Sequence, residues 1–404
     1  MKRLVQFGAG NIGRSLVGHL FSRAGYEVMF VDAVEAIVQA LNEKGRYDVV
    51  VKETLPPDQS DRILVENVRG LHASQTDAIA AAIAQADVLA TAVGPAVLPK
   101  IAPTIAAGVT RRSKPISIIL CENLRNAATH MRSWLAEHLP VDFEIDTRVG
   151  LVETSIGKMV PIMPAEVTQR DPLVVWAEAY NQIIADCAGF LGDSPDVPGL
   201  VLKNNFAAYV DRKLFIHNLG HAAEAYFGYL QGKESIWQCV GDEAIHAQAR
   251  AAMWASAKAL IAKYPSEFDE ANQAEHVDDL LRRFANRALN DSVFRVGRDL
   301  NRKLSPEDRC IGSLRLVSSC GGDVEPILRT IAAALRFRAV DEHGKMFPAD
   351  AEFHALMEKK GPRHMLEIVC GLQAPGDEST IEQIVKYYDE FGKSQNESST
   401  DGMD

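Results

Sequence analysis

The chain has 404 residues, 47% of them apolar and 24% charged, with a formal net charge of −11. That length holds two or three domains with cores large enough to need no metal or disulfide staple. The acidic balance argues against sequence-independent nucleic-acid binding, which draws on an excess of Lys and Arg.

The six cysteines (Cys121, Cys187, Cys239, Cys310, Cys320 and Cys370) are scattered with no CxxC pair. They read as reduced thiols rather than a zinc site or a disulfide scaffold. No run of 18 uncharged apolar residues occurs, and Met1 and Lys2 lead into an apparent strand without a leader pattern. The expectation is a cytoplasmic protein with no membrane or nucleic-acid partner.

In chain order, short apolar runs at 4–7, 28–31, 88–93, 116–120 and 149–154 read as strands. Ala-rich stretches such as 77–85 and 96–107 read as helices between them. Strand and helix in alternation imply parallel βαβ units and a doubly wound sheet. Extended polar runs at 47–53 and 61–73 interrupt the pattern and predict an inserted hairpin. Pro161, Pro164 and Pro172 punctuate a boundary. Beyond a possible strand at 173–176, helices are expected over 204–231, 242–263, 274–288, 326–339 and 381–391. The expected plan is α/β: a parallel-sheet domain over 1–165, a mostly α-helical domain over 166–392, and a frayed polar tail over 393–404.

The first strand ends in Gly8-Ala9-Gly10-Asn11-Ile12-Gly13, a GxGxxG turn opening a helix. Gly8 would allow the tight turn, Gly10 close approach of backbone to a pyrophosphate, and Gly13 close helix–strand packing. The anion would sit at a helix N-terminus, where unpaired N–H groups face it. The next strand ends in Asp32, where a carboxylate accepts ribose hydroxyls and repels a 2′-phosphate. The turn therefore predicts a Rossmann-type domain binding NAD rather than NADP.

In the helical half, Lys213, His221 and Asn218 fall at roughly 0°, 80° and 140° around a helix. Three polar groups on one broad face suit a polar pocket, though also a solvated surface. His217 and His221 have metal-ligand spacing, which Glu224 could complete. No Glu stands beside His217 as it does in zinc-peptidase helices, so no metal is expected.

Lys213-x4-Asn218-x2-His221, in a chain opening Gly-Ala-Gly-Asn-Ile-Gly-Arg, resembles the signature of the polyol-specific long-chain dehydrogenases, the mannitol dehydrogenase family. The likeness extends through Thr91-Ala92-Val93-Gly94-Pro95, Cys121-Glu122-Asn123, Arg212-Lys213-Leu214-Phe215, Arg295-Val296-Gly297-Arg298 and Arg302-Lys303-Leu304-Ser305. The blocks stand in family order, and their spacing is most similar to the mannitol-1-phosphate branch. The resemblance implies an enzyme that interconverts a hexitol phosphate and a ketose phosphate without metal. Lys213 would be the general base, Asn218 and Asn123 donors to the alkoxide, and His221 the residue that orients the hydroxyl or Lys213. Val93, Gly94 and Glu122 would join the glycine turn around NAD. The family mildly suggests a monomer.

Two departures stand out. Where relatives commonly carry Val-Asp-Arg-Ile before a proline, this chain has Ile156-Gly157-Lys158-Met159, and Glu153 replaces a shorter Asp. Arg298, Arg302 and Lys303 are the expected anion readers, unless Asp299 neutralises them. A hexuronate, a free polyol and a non-catalytic NAD(H) sensor are the alternative readings.

Overall fold

The computed structural model describes residues 1–53, 60–161 and 163–400. They form two compact units, Met1–Tyr209 and Val210–Asp404. The first runs β1 (Arg3–Phe7), a π-helical turn (Gly13–Gly18) continuing as α1 (His19–Arg23), β2 (Glu27–Asp32), α2 (Glu35–Lys44), β3 (Arg46–Val51) and β4 (Arg62–Glu66). There follow β5 (Val68–His72), α3 (Thr76–Gln85), β6 (Val88–Thr91), α4 (Leu98–Thr110), β7 (Ile116–Leu120) and α5 (Ala127–Ala136). It closes with α6 (Ile145–Arg148), β8 (Val149–Ile156), α7 (Ala165–Arg170), β9 (Val175–Ala177), β10 (Ile183–Asp186) and β11 (Leu200–Lys203).

The main sheet has the order β11-β10-β8-β7-β6-β1-β2-β5. It is parallel from β5 to β8, and β10 joins it antiparallel to β8. Side chains alternate across the pleat, so both faces are apolar, as a parallel sheet covered on both sides requires. Leu4, Val28 and Ile119 pack with Leu16 and Phe21 on one face. Val5, Phe7, Leu89 and Ile118 pack with Ile79, Ile83 and Ile105 on the other. Strand order reverses between β1 and β6, which makes the carboxyl ends of these two strands the switch point where open α/β sheets bind ligands.

The expected hairpin is half present. β3 pairs antiparallel with β4, but the run at 61–73 breaks at Asn67, whose φ is 57°. Its second half, β5, leaves the hairpin and pairs parallel with β2 in the main sheet. The stretch at 54–59 lies outside the described residues. The expected strand at 173–176 is β9, which pairs with β3.

The boundary expected at 165 falls instead at Tyr209/Val210. Backbone pairing is the cause: β9 is bonded to β3, β10 to β8 and β11 to β10, so 175–203 is stitched into the first unit.

The second unit is helical. α8 (Phe206–Arg212) carries the boundary and passes through a π-helical turn (Lys213–Asn218) into α9 (Leu219–Leu230). Then come α10 (Ile236–Val240), α11 (Glu243–Lys263), α12 (Glu270–Phe284), α13 (Val293–Gly297), α14 (Leu300–Lys303) and α15 (Arg309–Ser319). The last four are α16 (Glu325–Leu335), α17 (Pro348–Lys360), α18 (Pro362–Ile368) and α19 (Glu378–Thr400). α9 is buried almost all round and forms the centre of this unit. The start of α11 is fixed by Asp242, whose carboxylate accepts from the amides of Ala244 and Ile245. α19 reaches Thr400, so 393–400 is helical where a frayed tail was expected, and 401–404 lies outside the described residues. Among the described residues no helix is long and apolar enough to cross a membrane, and every cysteine is unbridged.

Candidate active site

The glycine turn separates structural from functional need. A Cβ on Gly8, whose φ is +92°, would meet the Ala92 carbonyl oxygen at 2.4 Å, and one on Gly13 would meet the Gly8 carbonyl oxygen at 2.0 Å. Both glycines are therefore fixed by packing. A Cβ on Gly10 would meet nothing within 4 Å. Packing does not ask for Gly10, and what remains is bare backbone open to close approach by a ligand. Asn11 and Ile12 lead from it into the helix.

Asp32, at the end of β2, accepts from the amide of Ala9 at 2.7 Å and from that of Val34 at 2.9 Å. A carboxylate has about four acceptor positions, so capacity for two ribose hydroxyls remains. The same residue braces the glycine turn. Glu122 is buried, and its two oxygens accept from the amides of Val93 (2.9 Å) and Gly94 (2.8 Å). Burial pushes its carboxyl up, and those two amides oppose the shift. Glu122 thus fixes the loop after β6 rather than reaching outward.

Asn123 is exposed beyond β7. The residue before α5 is Asn126, and the Ala128 amide at the start of that helix donates to Glu153. Glu153 is thereby engaged in holding the start of α5. Lys158 is also internal, donating to the carbonyls of Glu178 (2.8 Å) and Tyr180 (2.8 Å) and to Asn181 Oδ1 (2.6 Å).

In the second unit Lys213 opens the π-helical turn and Asn218 closes it. In an α-helix, residues five apart diverge by roughly 140°. A π-turn bonds i to i+5 and brings them above one another. His221 lies three residues further on, in α9.

Burial pushes the Lys213 ammonium down to about 8, and the nearby Arg309 guanidinium adds to the effect. His221 stacks on Phe284, centroids 4.6 Å apart and planes 9° apart, with Nε2 3.4 Å from Asp291 Oδ2. Burial lowers the His221 pKa while Asp291 opposes. Asp291 is braced by Arg295, whose Nε lies 2.5 Å away.

His217 is buried against the same Phe284 and is held neutral, well below its ordinary range, chiefly by desolvation. Glu224 has Asp242 as its charged neighbour instead of the imidazoles. Among the described residues no three His, Cys, Asp or Glu side chains converge as a metal site.

The expected anion readers separate into three environments. Lys303 is buried and donates to the carbonyl of Val296 at 2.5 Å and to that of Arg298. Arg302 pairs with Asp299 at 2.5 Å and reaches Asp308 at 3.5 Å. Arg298 lies against the rings of Phe294 and Phe347, 5.4 Å from each centroid. Sequence reading gave no role to Arg309 or Asp291, and Arg295 entered only within a family block. The fold brings Arg309 beside Lys213 and Asp291, braced by Arg295, beside His221.

Model matches agree with this layout. The mannitol dehydrogenase Rossmann domain matches residues 2–199, and the mannitol dehydrogenase C-terminal domain matches 205–391. The Pseudomonas fluorescens mannitol 2-dehydrogenase, solved as a ternary complex with NAD and D-mannitol, is similar in fold. Its TM-score is 0.72 at 15% identity, over 100% of this chain and 94% of that one. A D-sorbitol dehydrogenase solved in substrate-free form gives a TM-score of 0.77 at 16% identity, over 97% of this chain and 93% of that one. With both domain models matched in order along nearly the whole sequence, the chain belongs to the mannitol dehydrogenase family.

Proposed function

We propose that the protein is an NAD-dependent polyol dehydrogenase with Lys213 as general base, and that its substrate is a hexitol phosphate of the mannitol 1-phosphate type. What supports the reading is a desolvated Lys213 at one end of a π-turn and Asn218 at the other, with His221, held by Asp291, three residues further on. Near neutral pH such a lysine is part amine and part ammonium. It can take the alcohol proton in oxidation and return it in reduction. The Asn218 amide would donate to the oxygen as negative charge gathers there, and a parallel role is proposed for Asn123. NAD would supply the acceptor for the hydride of the carbinol carbon. Gly10 and Asp32 suit its pyrophosphate and ribose.

The phosphate assignment rests on the branch resemblance, with Arg298 as the remaining anion reader. A free polyol is the second reading, favoured by the internal engagement of Lys303 and Arg302. The test is NADH turnover with fructose 6-phosphate, fructose and fructuronate, in wild type, Lys213→Ala and Arg298→Ala. Lys213→Ala should lose roughly 10²–10⁴-fold in kcat with NADH binding retained. Arg298→Ala should raise KM for the phosphate about 10- to 150-fold and leave fructose nearly unchanged. Equal losses on both substrates sink the phosphate reading, and a wild type inert on every substrate points to a sensor.

A further inference from the structure

We propose that Arg309 is a positioning residue for this site: it holds the main chain where the π-turn ends and keeps a fixed positive charge beside Lys213. The proposal rests on the lysine-base reading above.

The geometry begins with the approach of two helices. A Cβ on Gly312 of α15 would lie 2.6 Å from the Phe215 ring, so α15 comes against the π-turn at a place where a side chain has no room. Arg309 precedes Gly312 by three positions and shares its helix face. Its Nη1 donates to the Asn218 carbonyl at 3.3 Å. The other end of the guanidinium is tethered, with Nε 2.8 Å from Asp308 Oδ1, the same oxygen that accepts from the Arg309 amide. The side chain is only 11% exposed. A planar cation held at both ends differs from a mobile surface arginine: it has one place to be, and that place is the end of the catalytic turn.

Charge follows from position. Desolvation pushes Lys213 down, and Arg309 is the charged neighbour that adds to the effect. Asp308, which pairs with the guanidinium at 2.8 Å, offsets part of its charge. Burial, with the charges of Arg283 and His276, pushes the His217 pKa well below its ordinary range. Asp211, two positions before Lys213, is paired with Lys263 at 2.9 Å. Lys303 is itself pushed down to about 7 by burial, Arg309 contributing. A guanidinium beside a lysine that titrates would help set the pH at which the base becomes available.

The experiment compares wild type, Arg309→Gln and Arg309→Lys in the full chain. It reads the pH profile of kcat/KM, NADH affinity and the melting curve. A second readout needs no turnover: trace acetylation of Lys213 against pH, followed by mass spectrometry. In Arg309→Gln the acid limb of polyol oxidation and the acetylation midpoint should both rise by about one pH unit. At pH 7.5 kcat should fall about tenfold, while NADH affinity stays level. Arg309→Lys should restore the midpoint through its charge but only part of kcat, because a point charge does not hold the carbonyl as a fork does.

Unmoved midpoints in Arg309→Gln, with kcat falling only as far as the melting temperature does, would overturn the proposal. If that variant lacks a native melting transition, the comparison of Arg309→Lys with wild type decides by the same midpoints. A wild type without turnover would reject the lysine-base reading, while the acetylation midpoints would still judge Arg309.

Discussion

The Asp32 carboxylate ties down the glycine turn and stands where the choice of cofactor is proposed to be made. It was legible in the sequence as the acid ending the second strand, and that position alone suggests a choice of NAD over NADP. The structure adds the Ala9 amide, 2.7 Å from Oδ2, so the same group also ties down the glycine turn. Replacing it should therefore have a mixed result. Asp32→Ser should shift the ratio of kcat/KM values toward NADP by removing repulsion of the 2′-phosphate. It should also weaken both cofactors, because an amide loses a charged acceptor, a contact of roughly 1.5–3 kcal/mol. Steady-state kinetics with both cofactors checks this, and a wild type that already prefers NADP would refute it. Glu122 was legible only as a family block, and its bonds to Val93 and Gly94 needed the fold.

At the scale of elements, the long helix over 204–231 was readable and its π-turn was not. Helical periodicity assumes one bond pattern, so it could not show that Lys213 and Asn218 stand at the two ends of a π-turn. The basic run 298–303 shows the opposite limit: charge is visible in a sequence, but the carbonyls that capture Lys303 are not.

α9 carries a second consequence. Glu224 is fully buried, and desolvation with the neighbouring Asp242 pushes its carboxyl up to about 8. Its folded pKa lies above the ordinary carboxylate value, so the folded state binds the proton more tightly. Stability is then fully present at acid pH and declines as pH rises through that interval, by about 1.4 kcal/mol per unit. Glu224→Gln removes the charge and should flatten the decline. Urea midpoints at pH 5.5, 7 and 8.5 measure it, and parallel slopes for the two proteins would show that Glu224 does not titrate there.

For the whole molecule, the alternation of strands and helices was enough to give a doubly wound sheet followed by helices. The division between them was misjudged because β9, β10 and β11 are short, follow three prolines, and join sheets begun far earlier in the chain. This late stitching has a practical consequence for anyone cutting the chain. A fragment ending at 165 would strip β10 from β8 and β9 from β3, leaving two bare strand edges. An unpaired edge is a template for a strand of another molecule. Such a fragment should self-associate in size-exclusion chromatography, whereas one ending at 209 should elute as a compact species. Equal behaviour of the two would mean that β9–β11 are dispensable to the sheet. A place to cut is thus set by where backbone pairing ends, some forty residues beyond the point where the composition changes.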